Sequence, residues 1–291
     1  MRSWNKTNGL FCSAVLALFV PVAQDDVVRK LIEQLSADRI DARAEAFRKL
    51  EEIGRPALPL IEKAALDADD EVASRAKTLL VRIPIRERLT PALVDQVKGI
   101  YERLAQGEWK QVFLEIATDL RLSDDRRRYP GVRAEDLSFM APMALQKAET
   151  DNDRMSICEA IGRCRLKSAM PEVVRLLKSE QYMVRANAAA AIRDAGAKEN
   201  VGDVRGLVAD PHPVVRSVAA HALGRLGAKE AAPDLLALLR DPSPDVQWWA
   251  VRSLGDLGAT EALPAIERLR DDPNESVRRV AADTAAALRK R

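Results

Sequence analysis

Apolar positions return along the second half of this chain at a spacing of 31 residues. Val184, Val215, Val246 and Val277 each open a run of small apolar residues, which closes on Ile192, Leu223, Leu254 and Ala285. Gly196, Gly227 and Gly258 follow in the same register. A fixed period of this size marks a stack of like units, each too thin to bury its own apolar face alone. In the unit from Lys229 to Gly258, Leu235, Leu236, Leu238 and Leu239 form the apolar side of a short helix. Asp241-Pro242-Ser243-Pro244 ends it, because proline lacks an N–H and turns the preceding residue away from helix. Val246, Ala250, Val251, Leu254 and Leu257 then fall on one face of a second helix, which Gly258 closes in the left-handed conformation.

The residues between these marks predict how the units pack. Ala188, Ala219, Ala250 and Ala281 keep the second helix thin, and Gly162, Gly224 and Gly255 let a neighbouring helix approach closely. Pro171, Pro233 and Pro264 sit where a first helix begins and tolerates proline. This succession of Leu-rich helix, Asp-Pro turn, Val-Arg, Ala-Ala and Leu-Gly resembles the HEAT repeat, in the short form also found in phycobilin lyases. The resemblance covers Met155–Leu288 and, more loosely, Asp38–Ile83. There Arg43, Ala46, Leu50, Ile53 and Gly54 repeat the second-helix phrase, and Glu71-Val72, Arg75, Ala76 and Leu80 echo it. It implies an all-α fold: an α-solenoid of about eight antiparallel helix pairs wound into a right-handed superhelix, HEAT/armadillo-like. It also implies a ladder between each turn aspartate and the arginine after it. Asp210–Arg216 and Asp272–Arg278 match, but Asp241 faces Gln247 and Ser179 precedes Arg185, so two breaks are expected.

The pattern divides the chain into 1–23, 25–83, 85–150 and 151–291, the last carrying the regular repeats. In 85–150 the period is lost. Thr90-Pro91 is a helix start, and Leu93, Val97, Ile100 and Leu104 form a stripe. Trp109, Val112, Phe113, Ile116 and Leu120 form another, ended by the charged turn Ser123–Gly131. Either one superhelix runs through this segment or two arrays are hinged at Arg121–Arg133.

Composition changes the picture at the N-terminus. Arg2 and Lys6 precede the apolar stretch Leu10–Val20, too short to span a bilayer comfortably and built like the core of a signal peptide. Cleavage is expected after Ala23 or Gln24, with an uncleaved anchor as the alternative. Export to the periplasm or outside the cell follows, with membrane contact only through that segment. Its loss removes two of the 46 Lys and Arg against 44 Asp and Glu, so the mature chain is neutral. A neutral chain speaks against nucleic acid as the partner. Arg126-Arg127-Arg128, with Asp124-Asp125 beside them, read as a solvated turn.

Candidate chemistry is sparse. Cys158 and Cys164 occupy columns of small apolar residues and lie about 9 Å apart along a helix, beyond disulfide reach. The two histidines, His212 and His221, are not followed by glutamate, which removes the paired His-Glu iron ligands of the HEAT enzyme deoxyhypusine hydroxylase. Trp248, Arg252 and Asp256 superficially suit the HEAT-like alkylpurine DNA glycosylases, which a neutral exported chain does not. No catalytic residue, metal site or cofactor is expected. Positions two, six and ten after the valine column face out of the core. Most are polar there, and Trp248 is the exception. Tryptophan beside arginine is the usual composition of an interface hot spot. Trp248 and Arg252, flanked by His221, Arg225 and Arg279, are therefore the candidate anchors for a protein or peptide on the concave face. The alternatives are that Trp248 and Trp249 fill a gap beside short alanines, and that the chain is a lyase-type accessory subunit. N-terminal sequencing of the native protein should begin near Gln24 or Asp25; an intact Met1 on a soluble cytoplasmic protein would sink the export reading.

Overall fold

The computed structural model describes residues 25–290, so the segment 1–23 lies outside the described residues. It is all α-helical and forms an α-solenoid. Helix α1 covers 25–33, followed by α2 (Ile40–Ile53), α3 (Leu58–Ala64), α4 (Asp70–Arg86), α5 (Pro91–Gln96) and α6 (Ile100–Ala105). Then come α7 (Trp109–Asp119), α8 (Met140–Gln146), α9 (Asp151–Arg163), α10 (Met170–Leu176) and α11 (Tyr182–Ala195). The last repeats hold α12 (Val201–Arg205), α13 (Pro213–Leu226), α14 (Ala232–Leu238), α15 (Pro244–Leu257), α16 (Leu263–Arg268) and α17 (Glu275–Leu288). No helix among the described residues is long and apolar enough to cross a membrane. Two compact units emerge: 25–94 with 99–107, and 95–98 with 108–290.

In the first unit Leu35, Leu50, Ile61, Leu79 and Ile83 are fully buried. A polar cluster sits beside them. The Glu51 carboxylate, 8% exposed, accepts Arg82 Nε at 2.6 Å and the Tyr101 hydroxyl. The Arg82 guanidinium lies 4.4 Å from the centre of the Tyr101 ring. Burial, with the Glu51 carboxylate next, pushes the Tyr101 phenol up to about 12, so it remains the donor. The stripe Leu93, Val97, Ile100 and Leu104 is buried throughout, but as two short helices and not one. Gly99, at φ 67°, breaks it.

In the second unit each second helix packs on the next: α9 on α11, α11 on α13, α13 on α15 and α15 on α17. The inward columns hold, but the position two after each valine, expected to face outward, is buried at Ala186 and Ser217. Ala219, Leu223, Ala250 and Leu254 are fully buried and Arg225 is exposed. Gly196, Gly227 and Gly258 close their helices at φ 65°, 73° and 71°. The unit that lacks this glycine has Arg165 at φ 55°, a conformation that costs a side-chain-bearing residue about 1 kcal/mol. Cys158 is buried, and burial pushes its thiol up to about 12; Cys164 is half-buried and neither forms a disulfide. The irregular segment 121–133 lies inside this unit and is tied down there. Asp119 accepts the N–H groups of Arg128 and Tyr129 at 2.7 and 2.9 Å, and Arg127 donates to the Leu120 and Leu122 carbonyls at the end of α7.

The arginine ladder differs from the expectation. Arg185 and Arg216 each donate Nη1 to the carbonyl six residues back, Ser179 and Asp210, both at 2.8 Å. Their Nε and Nη2 clamp the carboxylate 25 residues on, Asp210 at 2.7 and 2.8 Å and Asp241 at 2.7 and 2.9 Å. The side-chain rung thus joins successive units, and within a unit the arginine meets only backbone. Serine at position 179 keeps the backbone contact to Arg185 but removes the carboxylate 25 residues on from Arg154, which pairs with Asp151 of its own helix instead, so a break falls here as expected. The second break falls at Gln247, whose amide donates to the Leu239 carbonyl at 3.3 Å; the Asp272 carboxylate accepts the N–H of Asn274, and only its carbonyl meets an arginine, Arg278, at 2.8 Å. Burial, the largest single influence, would raise the Asp210 and Asp241 carboxyls; the arginine hydrogen bonds, a backbone N–H to each and the arginine charge together outweigh it and hold both below the usual aspartate value.

Because the Asp241 side chain is only 6% exposed, Arg216→Ala should cost about 3 kcal/mol by leaving that carboxylate uncompensated. Gln247→Arg should add a rung to Asp272 and stabilise by about 1 kcal/mol. Denaturant unfolding of the two variants, with midpoints moving in opposite directions, is the expected result; unchanged midpoints would remove the ladder from the account of stability.

Candidate functional site

Successive second helices are staggered, and the stagger determines which side chains meet. A Cβ added to Gly255 of α15 would stand 2.7 Å from Thr284 Cγ2 of α17, and one added to Gly224 of α13 would stand 2.5 Å from Ser253 Oγ of α15. In the 31-residue register each partner sits two positions earlier in its helix than the glycine. Contacts between neighbours therefore run diagonally across the columns. The Ser253 hydroxyl, buried at this crossing, donates to the Ala220 carbonyl of α13 at 2.8 Å.

This geometry separates the five candidate residues into two groups. Trp248, Arg252 and Arg279 line one groove of about 430 Å³ between α15 and α17, with Asp256 and Asp283 further along it. Gly255, Val280 and Thr284 also line it. His221 and Arg225 lie one helix back on α13, outside this groove. Trp248 is half-buried and its ring meets Trp249 edge-on, centroids 4.7 Å apart. Arg252 pairs with Asp256 of its own helix at 3.5 Å, an exposed pair of little energetic weight. Among the described residues Arg279 and Asp283 make no ion pair.

Two residues that sequence reasoning did not select complete the picture. Trp249 stacks on His221, ring centroids 3.7 Å apart and planes within 16°. Arg193 Nη1 lies 3.1 Å from His221 Nδ1. A guanidinium cannot accept, so Nδ1 must, and the ring is neutral with its proton on Nε2. Trp249 thus covers the crossing between α13 and α15. Its column equivalent in the next interval is Val280, which is too small to do so, and there the groove is open. Trp249 stacks over His221, and Trp248, edge-on to Trp249, lines the groove beside it.

Comparison with known proteins agrees with this architecture. Residues 203–286 match the family described as HEAT repeats. The chain is an α-solenoid, and its residues 203–286 carry the HEAT-repeat match. Among solved structures it is similar to the complex of CpcE and CpcF of phycocyanin lyase from Nostoc sp. PCC7120, at 26% identity and a TM-score of 0.48. That match covers 53% of this chain and 65% of the other, so this chain spans less than two thirds of it. A designed armadillo repeat protein matches over 90% of this chain and 99% of its own, at 20% identity and a TM-score of 0.36. Human deoxyhypusine hydroxylase in complex with glycerol matches over 96% and 100%, at 16% identity and a TM-score of 0.38. Comparison with curated proteins found no match.

Burial foremost, then the charges of Arg193 and Arg225, pushes the His221 imidazole down to about 4, against the opposing pull of Asp194 and Asp256. An unfolded histidine takes up its proton near the ordinary value of 6.5, so the unfolded chain binds more protons between 6.5 and about 4. The contribution is complete above that window and is lost as pH falls through it. His221→Phe keeps an aromatic ring for the stack and removes the titration, so its stability should fall less steeply over the same range. A variant curve as steep as wild type would show that His221 is not the group responsible.

Proposed function

We propose that this chain is an exported, non-enzymatic HEAT-repeat scaffold that takes a protein or peptide partner on the concave face of its second helices, in the groove between α15 and α17. The observation that carries this reading is Trp248. Its column holds Met155, Ala186, Ser217 and Arg279 in the other units, the buried Ala186 and Ser217 among them, and none is aromatic, so the indole is particular to this unit. It lies at an open groove next to Arg279, an arginine without an ionic partner among the described residues. A half-buried aromatic with arginines around it is the composition in which interface energy concentrates. Export is supported by Arg2 and Lys6 ahead of Leu10–Val20.

Trp248→Ala should weaken capture of the native partner by on the order of 2 kcal/mol while leaving the melting temperature nearly unchanged, since Trp249 covers the neighbouring crossing without it. The measurement is a pull-down from the exported fraction with the wild-type and variant chains side by side, followed by titration of whatever co-elutes. Equal capture by both chains, or a variant that unfolds readily, would move the binding surface elsewhere.

A further inference from the structure

The groove between α15 and α17 has an order of chemistry along its length. Because Gly255 meets Thr284, each α17 residue stands level with an α15 position about two further along its own helix than the column register gives. Arg279 therefore falls between Trp248 and Arg252, and Asp283 falls between Arg252 and Asp256. From one end to the other the walls read indole, then two guanidiniums, then two carboxylates. From the indole to the middle of the guanidinium pair is about three helical residues and from there to the middle of the carboxylate pair about four, or about 4.5 and about 6 Å at 1.5 Å per residue. In an extended chain, residues two apart point to the same side and are about 6.6 Å apart. The groove, about 430 Å³ and open to solvent, takes the alternate side chains of a short extended segment laid along it.

Resting on the reading of this groove as the partner site, we infer that its occupant is an extended protein segment whose alternate residues are apolar, acidic and basic, with the acidic residue in the middle. The apolar side chain lies on Trp248, the carboxylate between Arg279 and Arg252, and the cation between Asp283 and Asp256. The order holds for either chain direction, because it is read from the indole outward. Among the described residues Arg279 and Asp283 have no ion pairs to break, and the Arg252–Asp256 pair at 3.5 Å is exposed and gives way at little cost. The opposite order, with the basic residue in the middle, sets a cation against two arginines and a carboxylate against two aspartates, and like charges in contact reject a partner.

The test uses the full chain and two immobilised peptides of the same composition, one with Leu-Thr-Asp-Thr-Lys and one with Leu-Thr-Lys-Thr-Asp at its centre. Threonine at the intervening positions favours the extended form. Wild type should bind the first about tenfold more tightly. The double charge reversal Arg279→Asp with Asp283→Arg should abolish or invert that preference, and Trp248→Ala should weaken both peptides. Equal binding of the two peptides, still lost in Trp248→Ala, would overturn the charge order while leaving the groove as the site. No binding, or binding indifferent to Trp248→Ala, would overturn the charge order and the site reading beneath it.

Discussion

The close approach of consecutive second helices is the constraint on which the second unit depends. Gly162, Gly224 and Gly255 stand where an added Cβ would meet the next helix at 3.1, 2.5 and 2.7 Å. Such contact leaves no room for large side chains at the crossing, which is why the facing positions hold Ala191, Ser253 and Thr284. The fourth position in the glycine column is Arg193, and there the chain uses a polar solution. Its guanidinium turns aside to His221 and to Asp194, and the neighbouring helix still packs. Thin cores made this way bury little apolar area per unit, so rungs such as Arg216–Asp241 carry a share of the cohesion that a thicker core would supply from leucines alone.

Much of the fold was legible because a 31-residue period makes each unit a control for the others. Column comparison alone placed Ala219 and Leu223 inside, Arg225 outside, and the left-handed glycines at Gly196, Gly227 and Gly258. The ladder was misread for a definite reason. Asp210 and Arg216 are near in sequence, yet Arg216 uses the Asp210 carbonyl and reaches across to Asp241 for a carboxylate. Backbone acceptors have no side-chain signature, and a contact 25 residues away cannot be seen by looking six residues back. In the aperiodic stretch the apolar stripe correctly identified buried residues, but one glycine at φ 67° turned a single expected helix into two.

The candidate site was legible in the same partial way. Trp248 was conspicuous as the residue that its column could not explain. Trp249 was named only as a gap-filler and Arg193 not at all, since their contacts to His221 arise from the diagonal stagger, which equal-register comparison ignores. Trp249 stands three positions earlier in its helix than His221 does in its own, and only that offset brings the rings to 3.7 Å. The grouping of the five candidates followed suit: three share a groove, and two belong to the crossing before it.

A repeat array offers the same floor at every interval, so a distinct site requires a local departure from the consensus. Here the departure is a pair of adjacent tryptophans on one helix followed by a valine on the next. Trp249 closes the interval between α13 and α15 by stacking on His221. Val280, in the same column of α17, is too small to close the following one, and Trp248 lines the space that results. Enlarging Val280 would close the groove from the floor without touching the charged walls, whereas removing Trp248 takes away the apolar end and leaves the charges in place. The position of the groove and the chemistry along it are thus set by different residues. The repeat can keep its packing contact at Gly255 and Thr284, which lie in the floor of the groove, while the exposed columns change, because the indole and charged side chains of the walls are not the ones that hold the helices together.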